Sequence, residues 1–329
     1  MIGGRLARIQ VFVLVFHVLT VGAPLHCRDY FIVSLIYHAI TIEVIFPFEF
    51  KQPKALYHIT RHPRLSQMSE GDRALQRDWR KEIHQAFEVI TPRLPVFVGG
   101  HTHCSTHVHF SFEGSTGIPL AKAKLISIAA IYFENSIRAL MPEPWRDRTY
   151  RRQYVQSNMK DYFWFESGGE RIDMCQAWTL INQQESMEHL EILVCNPSEA
   201  WLGDGKYYKW NFGGVGNNET IEFRQGPASL SAVDTIDWID FVHAFVQAAC
   251  AVDPIRLDSA ASYNDWEMFH AAFGMGGLQL YDRPEENVCH IQAFLQGQGL
   301  RKEFWDGRLE FRNWYNFKLA NLDPDQQTF

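Results

Sequence analysis

Alternation of polar and apolar side chains is sharpest in two short stretches. Residues 99–112 read GGHTHCSTHVHFSF, with His101, His103, His107 and His109 all at odd positions. Side chains two apart on a strand share a face. An extended segment here sets its imidazoles on one side and Val108 and Phe110 on the other. Gly99 and Gly100 suit a turn, which would take His101 and His103 out of the strand. Residues 220–225 (TIEFRQ) repeat the design, with Glu222 and Arg224 on one face and Ile221 and Phe223 on the other. Two half-polar strands predict a sheet with a core on one side and chemistry on the other.

Further elements follow from the same reading. Residues 29–50 are rich in β-branched and aromatic side chains and read as strand, with Glu43 between Ile42 and Val44 and Pro47 interrupting the ladder. Residues 51–69 are polar and irregular. Leu75, Trp79, Ile83, Phe87 and Ile90 recur at helical spacing and predict an amphipathic helix over 71–90. Residues 119–140 read as one long helix opened by Pro119. A mixed region follows, with Glu185, Glu188, His189 and Glu191 on an exposed helix. Residues 206–212 (KYYKWNF) read as strand, and GGVGNN after them as a hairpin connection. That glycine run lacks the GK[ST] ending and the following helix of a phosphate-binding loop. Asp234 and Thr235 are expected to cap a helix striped by Ile236, Ile239, Val242, Val246 and Ala249. Shorter helical patterns occupy 266–273 and 287–295, and the last residues read as a frayed tail.

Composition changes the picture in a few respects. With 46% hydrophobic and 14% aromatic residues the chain has ample material for a core. A net charge of -7 argues against a nucleic-acid binder that relies on a basic surface. The six cysteines are scattered and show no CxxC pair, so reduced thiols and a cytoplasmic location are the simpler expectation. Residues 1–23 complicate it. Arg5 and Arg8 precede an apolar run at 11–21, which is the layout of a signal peptide but short for a membrane span. A cleaved leader, a buried strand or helix, and a start outside the folded unit all fit. No membrane association is expected unless that segment is a leader.

Candidate chemistry lies in the histidine stretch, the Glu222 strand and a basic block. The imidazoles suit metal ligation or proton handling, and equally suit hydrogen-bonded surface groups. Arg146, Arg148, Arg151 and Arg152, with Tyr150 and Tyr154 interleaved, form either a phosphate-binding group or a solvated basic loop. Two histidines with Glu222 would also serve a zinc hydrolase. No HExxH helix supports that reading, and it leaves Arg224 without a use.

The order of motifs carries a resemblance. IEVIFPFEF, CSTHVHF, a helix, the arginine and tyrosine block, KYYKWNF, TIEFRQ and a long helix follow one another across roughly 41–252. This order resembles the amidoligase family found widely in fungi, within the glutamine synthetase-like carboxylate-amine ligases. The resemblance implies an α+β fold, with a curved, largely antiparallel sheet, helices on its outer face and catalytic groups on the concave face. It divides the chain into a hydrophobic segment 1–40, a catalytic domain 41–253 and a helical extension 254–329. The implied reaction is ATP-dependent amide formation through an acyl phosphate, from a small-molecule or peptide carboxylate and an amine. Glu43, His107 and Glu222 are similar to the family's ligands for Mg2+ or Mn2+. His109 and Arg224 resemble its catalytic groups, and Arg152, Tyr154, Tyr207 and Asn211 its nucleotide contacts.

Departures accompany the match. Family members begin with a strand carrying an ExE pair, whereas the first glutamate here is Glu43, and Ser105 stands where glycine is frequent. Either Glu49 or another acid compensates, or a metal site and the activity are lost and the fold serves as a binding scaffold. Because Glu222 falls on a polar face, Glu222→Gln is expected to abolish metal-dependent nucleotide use with little loss of fold.

Overall fold

The structure is a computed structural model, and it describes residues 6–18, 35–47, 56–60, 79–90, 105–112, 118–142, 157–158, 173–195, 208–213, 220–227, 229, 231–275 and 284–320. It is a mixed α and β structure built on an antiparallel sheet. The strands are β1 (Leu6–Val18), β2 (Leu35–Pro47), β3 (Leu56–Thr60), β4 (Ser105–Phe112), β5 (Trp210–Asn211) and β6 (Ile221–Pro227), in the order β3-β2-β1-β4-β6-β5. The apolar run at 11–21 thus contributes most of an interior strand, with β2 on one side and β4 on the other.

Ten helices are described: α1 (Trp79–Ile90), α2 (Leu120–Tyr132), α3 (Glu134–Ala139), α4 (Met174–Asn182), α5 (Met187–Cys195), α6 (Ala232–Ala251), α7 (Pro254–Tyr263), α8 (Trp266–Ala272), α9 (Pro284–Phe294) and α10 (Lys302–Ala320). The single helix expected over 119–140 breaks at Phe133, whose backbone leaves helical geometry between α2 and α3. Burial explains the break. Phe133 is fully enclosed and stacks on Phe294 with ring centroids 4.2 Å apart, a contact that the turn makes possible.

Helix α6 is the main support of the sheet. Its N-cap is Ser231, whose hydroxyl accepts from the Asp234 backbone N–H at 3.2 Å, so the cap lies three residues before the Asp234 expected from sequence. Asp234 stays part of the cap, its Oδ2 accepting from the Ser231 hydroxyl at 3.0 Å, while its Oδ1 meets Arg308 of α10 at 2.6 Å; Asp237, one turn on, meets the same guanidinium at 3.0 Å. Nη2 of Arg80 on α1 donates to both carboxylate oxygens of Asp240, at 2.6 and 2.8 Å. A line of aspartates along α6 therefore ties down α1 and α10 through buried and half-buried ion pairs.

The adjoining side of α6 is aromatic, and the Arg308 guanidinium lies 5.5 Å from the centre of the Trp238 ring. Trp238 and Phe241 lie against Phe223 of β6, with centroids 5.7 and 6.0 Å away, and Phe245 lies 4.9 Å from Trp210 of β5. Val108 and Phe110 of β4 and Ile221 of β6 are buried on the same side. The apolar halves of the two half-polar strands therefore form the core beneath α6, as the alternation predicts. Asn158 fixes β5 within this core. Its amide donates to Val194 O at 3.1 Å and to Trp210 O at 2.8 Å, and its carbonyl accepts from the Trp210 N–H at 3.0 Å. Helices α7 to α10 pack into the same hydrophobic core through Leu257, Phe269, Ile291, Phe294 and Phe304.

Candidate active site

The register of the sheet aligns one cross-strand row of backbone positions. Glu222 of β6 pairs with His109 of β4 on one side and with Asn211 of β5 on the other. His109 pairs in turn with Gln10 of β1, Gln10 with Glu43 of β2, and Glu43 with His58 of β3. Directly paired residues share a sheet face. Antiparallel pairing thus sets a row of six chemistry-bearing residues from separate parts of the chain.

A β-bulge adds to the row. Thr106 pairs with Gly226 and Val108 with Phe223, so His107 alone opposes both Arg224 and Gln225. Gly226 suits this position, since a Cβ there would meet Thr106 O at 3.2 Å and the Trp238 ring at 3.4 Å. Thr106 fastens the end of the strand pair by donating to Pro227 O at 2.8 Å.

At the centre stands the Glu222 carboxylate, only 4% exposed. Its Oε1 receives Nδ1 of His107 at 2.8 Å, Nε2 of His109 at 3.2 Å and Nη1 of Arg224 at 2.7 Å. Its Oε2 accepts from the Asn211 amide at 3.0 Å, and Asn211 Oδ1 accepts from the Gly213 N–H at 2.9 Å. His109 Nδ1 lies 3.2 Å from the Thr220 hydroxyl. When Nε2 of His109 donates to the carboxylate in the neutral ring, Nδ1 is the acceptor for Thr220.

Electrostatics follow from this geometry. Burial pushes the Glu222 carboxyl upward, but the hydrogen bonds from His107 and His109 and the charge of Arg224 outweigh it and hold the group well below the usual carboxylate range. Burial pushes His107 below its ordinary value, against the pull of its hydrogen bond to Glu222, and the Arg224 charge adds to the lowering. At neutral pH the cluster holds an ionised Glu222 beside an uncharged His107 that donates from Nδ1. The ring's other nitrogen then carries the basic lone pair.

The sequence-derived candidates fall into three groups. His107, His109, Asn211, Glu222 and Arg224 come together around one carboxylate. Glu43 shares the row, with its backbone two strands from His109, about 10 Å at ordinary strand spacing, and three strands from Glu222, about 14 Å. Arg152, Tyr154 and Tyr207 lie outside the described residues, as do His101, His103, Glu49 and the rest of the basic block. Sequence reasoning missed Thr220 as the partner of His109, and it missed the bulge that brings Gln225 beside Arg224. Gly226 after RQ was the available signal for the bulge. Nothing in the sequence pointed to Asn158 as the anchor of β5.

The divalent metal implied by the resemblance can be tested against this arrangement. Among the described residues no group of three or more His, Cys, Asp or Glu side chains is placed to hold a cation. Glu222 Oε1 is already the acceptor for three nitrogens, one of them a guanidinium whose fixed positive charge opposes a second cation there. As arranged, the described trio is a hydrogen-bond hub and does not fit a resident divalent ion. Among the described residues no single helix is long and apolar enough to cross a membrane. Comparison with protein families, with characterised proteins and with solved structures finds no match to this chain.

Proposed function

We propose that the chain is an ATP-dependent carboxylate-amine ligase of the amidoligase kind, with its catalytic groups gathered around Glu222 on the polar face of a curved sheet. The convergence of His107, His109 and Arg224 on one buried carboxylate, across a helix-backed antiparallel sheet, carries this reading. A ligase of this kind must hold an anionic acid, steady the charge of an acyl phosphate and remove a proton from the incoming amine. Each task has a candidate group here.

Glu222 holds the guanidinium of Arg224 in a fixed orientation. Its Nε makes no hydrogen bond among the described residues and is buried, so it offers a donor for a carboxylate oxygen or for the transferring phosphate, in ATP as in the acyl phosphate. His107, kept neutral by burial and oriented through Nδ1 by Glu222, is the proton acceptor for the attacking amine in this scheme. His109 steadies the same carboxylate and is itself oriented by Thr220. Burial of the cluster keeps water from the acyl phosphate, whose hydrolysis would waste the nucleotide. Mg2+ or Mn2+ would arrive with the ATP phosphates, a common mode for magnesium, and this requires no resident metal cage.

A second reading rests on one observation. Gln10 stands at the middle of the row, where the resemblance leads one to expect acids on an early strand. That substitution favours a binding protein that retains the fold without turnover. Hydroxylamine trapping separates the two readings. Purified protein is incubated with Mg-ATP, hydroxylamine and pooled amino acids, dipeptides and dicarboxylates, and hydroxamate and phosphate are measured. Acid-dependent hydroxamate, lost in Arg224→Met, is the expected result. A folded protein that binds ATP without forming hydroxamate from any pool would leave the binding reading in place.

A further inference from the structure

We propose that Gln225 is a specificity-determining residue, and that together with Arg224 it recognises an acid bearing an amide next to its carboxylate. Such acids are N-acylated amino acids and the C-terminal residue of a peptide. The inference rests on the ligase reading only for calling this ligand the acid substrate; the binding itself stands apart from it.

The bulge places Gln225. Phe223 lies against Trp238 and Phe241, and a Cβ on Gly226 would touch the Trp238 ring, so both belong to the helix-backed face. Arg224 and Gln225 lie between them and face His107 alone across the ladder. Both therefore leave from the opposite face, where Arg224 reaches Glu222 at 2.7 Å. Strict alternation would have sent Gln225 into the core, where a leucine would serve better.

The side chain has no structural task that accounts for it. Gln225 is 2% exposed, yet neither its Nε2 nor its Oε1 has a hydrogen-bond partner among the described residues. Buried amides are otherwise paired, because burying one unpaired is costly. Arg224 Nε, its immediate neighbour, is buried and unpartnered too. These two consecutive residues thus present an unused cationic donor beside an unused amide donor and acceptor.

Their spacing selects the ligand. Adjacent Cα atoms are about 3.8 Å apart, and in a peptide C-terminus the carboxylate and the preceding amide are likewise separated by a single Cα. A carboxylate on Arg224 places that amide beside Gln225. There Oε1 accepts the amide N–H and Nε2 donates to the amide carbonyl. A plain aliphatic acid would leave the Gln225 amide unpaired, so a site of this kind discriminates against it.

The test is calorimetric titration of the full chain, without nucleotide, with N-acetylglycine, its ester counterpart acetoxyacetate and N-acetylglycinamide. N-acetylglycine is expected to bind about tenfold more tightly than the ester, which lacks the N–H, and N-acetylglycinamide to bind weakly for want of a carboxylate. Gln225→Met, similar in shape but without donor or acceptor, should bind the amide and the ester alike. Equal affinities in the wild type, no binding of any probe, or a preference kept in Gln225→Met would each overturn the proposal. The wild-type comparison decides alone if the variant does not fold. With nucleotide absent, a failure of ATP turnover leaves this result standing, and the reverse holds as well.

Discussion

Replacing Glu222 with glutamine probes the cluster most severely. The sequence places this residue on a polar face and predicts little harm to the fold. The structure reverses that expectation, because the carboxylate is 4% exposed and accepts from four donors at 2.7 to 3.2 Å. Glutamine has one acceptor where glutamate has two. If its oxygen faces His107, His109 and Arg224, its NH2 meets the Asn211 NH2, donor against donor. Turning Asn211 over forfeits its bond to the Gly213 N–H at 2.9 Å. In either case the Arg224 guanidinium loses its counter-charge at a site where its side chain is only 15% exposed.

Removing one partner of a buried pair costs about 3–5 kcal/mol, and the oxygen that glutamine retains places this change near the lower end, at about 3 kcal/mol. At about 2.1 cal/mol/K of unfolding entropy per residue, a chain of 329 residues should melt about 4 °C lower. Urea unfolding by linear extrapolation, beside scanning calorimetry, measures both quantities. Adding Arg224→Met to Glu222→Gln removes the stranded charge, so the double variant should be less destabilised than the two single losses added together. A Glu222→Gln protein within about 0.5 kcal/mol of wild type, or strict additivity in the cycle, would refute the reasoning.

Other expectations follow from the same structure. Acid should destabilise the fold. His107, lowered from 6.5, and His243, pushed by burial and then by the Arg80 charge to about 4, resist protonation when folded, so their contributions shrink as pH falls below 6.5. The Glu222 contribution is present above its unfolded value of 4.5 and is lost as pH falls from there through its folded value. Asp237, raised mainly by burial from 3.8 to about 6, acts oppositely between those values, so Asp237→Asn should steepen the acid loss in urea midpoints measured from pH 7 to 4. A flat profile would contradict these assignments. Asn158→Ala removes three hydrogen bonds at 2.8 to 3.1 Å around Trp210 and should cost about 3 kcal/mol by urea unfolding; a loss under about 1 kcal/mol would count against its anchoring role. Gly226→Ala sets a Cβ 3.2 Å from Thr106 O and should cost about 1–3 kcal/mol; a neutral result in the same assay would show that the bulge yields without strain.

Local alternation made half of this molecule legible. His107, Val108, His109 and Phe110 announced a two-faced strand, and Ile221 to Arg224 announced its partner, because side chains alternate between the faces of a strand wherever no bulge intervenes. The stripe of Ile236, Ile239, Val242, Val246 and Ala249 marked α6 by its helical spacing. Long-range events were hidden. Phe133 reads as helix from its neighbours and breaks the helix because of Phe294, some 160 residues away in the chain. The α6 cap lies at Ser231, whose hydroxyl accepts from the Asp234 N–H and donates to its carboxylate, while the other carboxylate oxygen is held by Arg308, far along the chain. The row joining Asn211, Glu222, His109, Gln10 and Glu43 depends on the register of four strand pairs, which no single window encodes.

The central claim is that the cluster around Glu222 serves nucleotide-driven ligation. Calorimetric titration of Mg-ATP and of AMP into wild type and Arg224→Met, each first shown to be folded by thermal melting, tests it most directly. Saturable Mg-ATP binding in the wild type, at least tenfold weaker in Arg224→Met and with no comparable response to AMP, is the predicted result. Absence of Mg-ATP binding to the folded wild type, or equal binding in Arg224→Met, would contradict it.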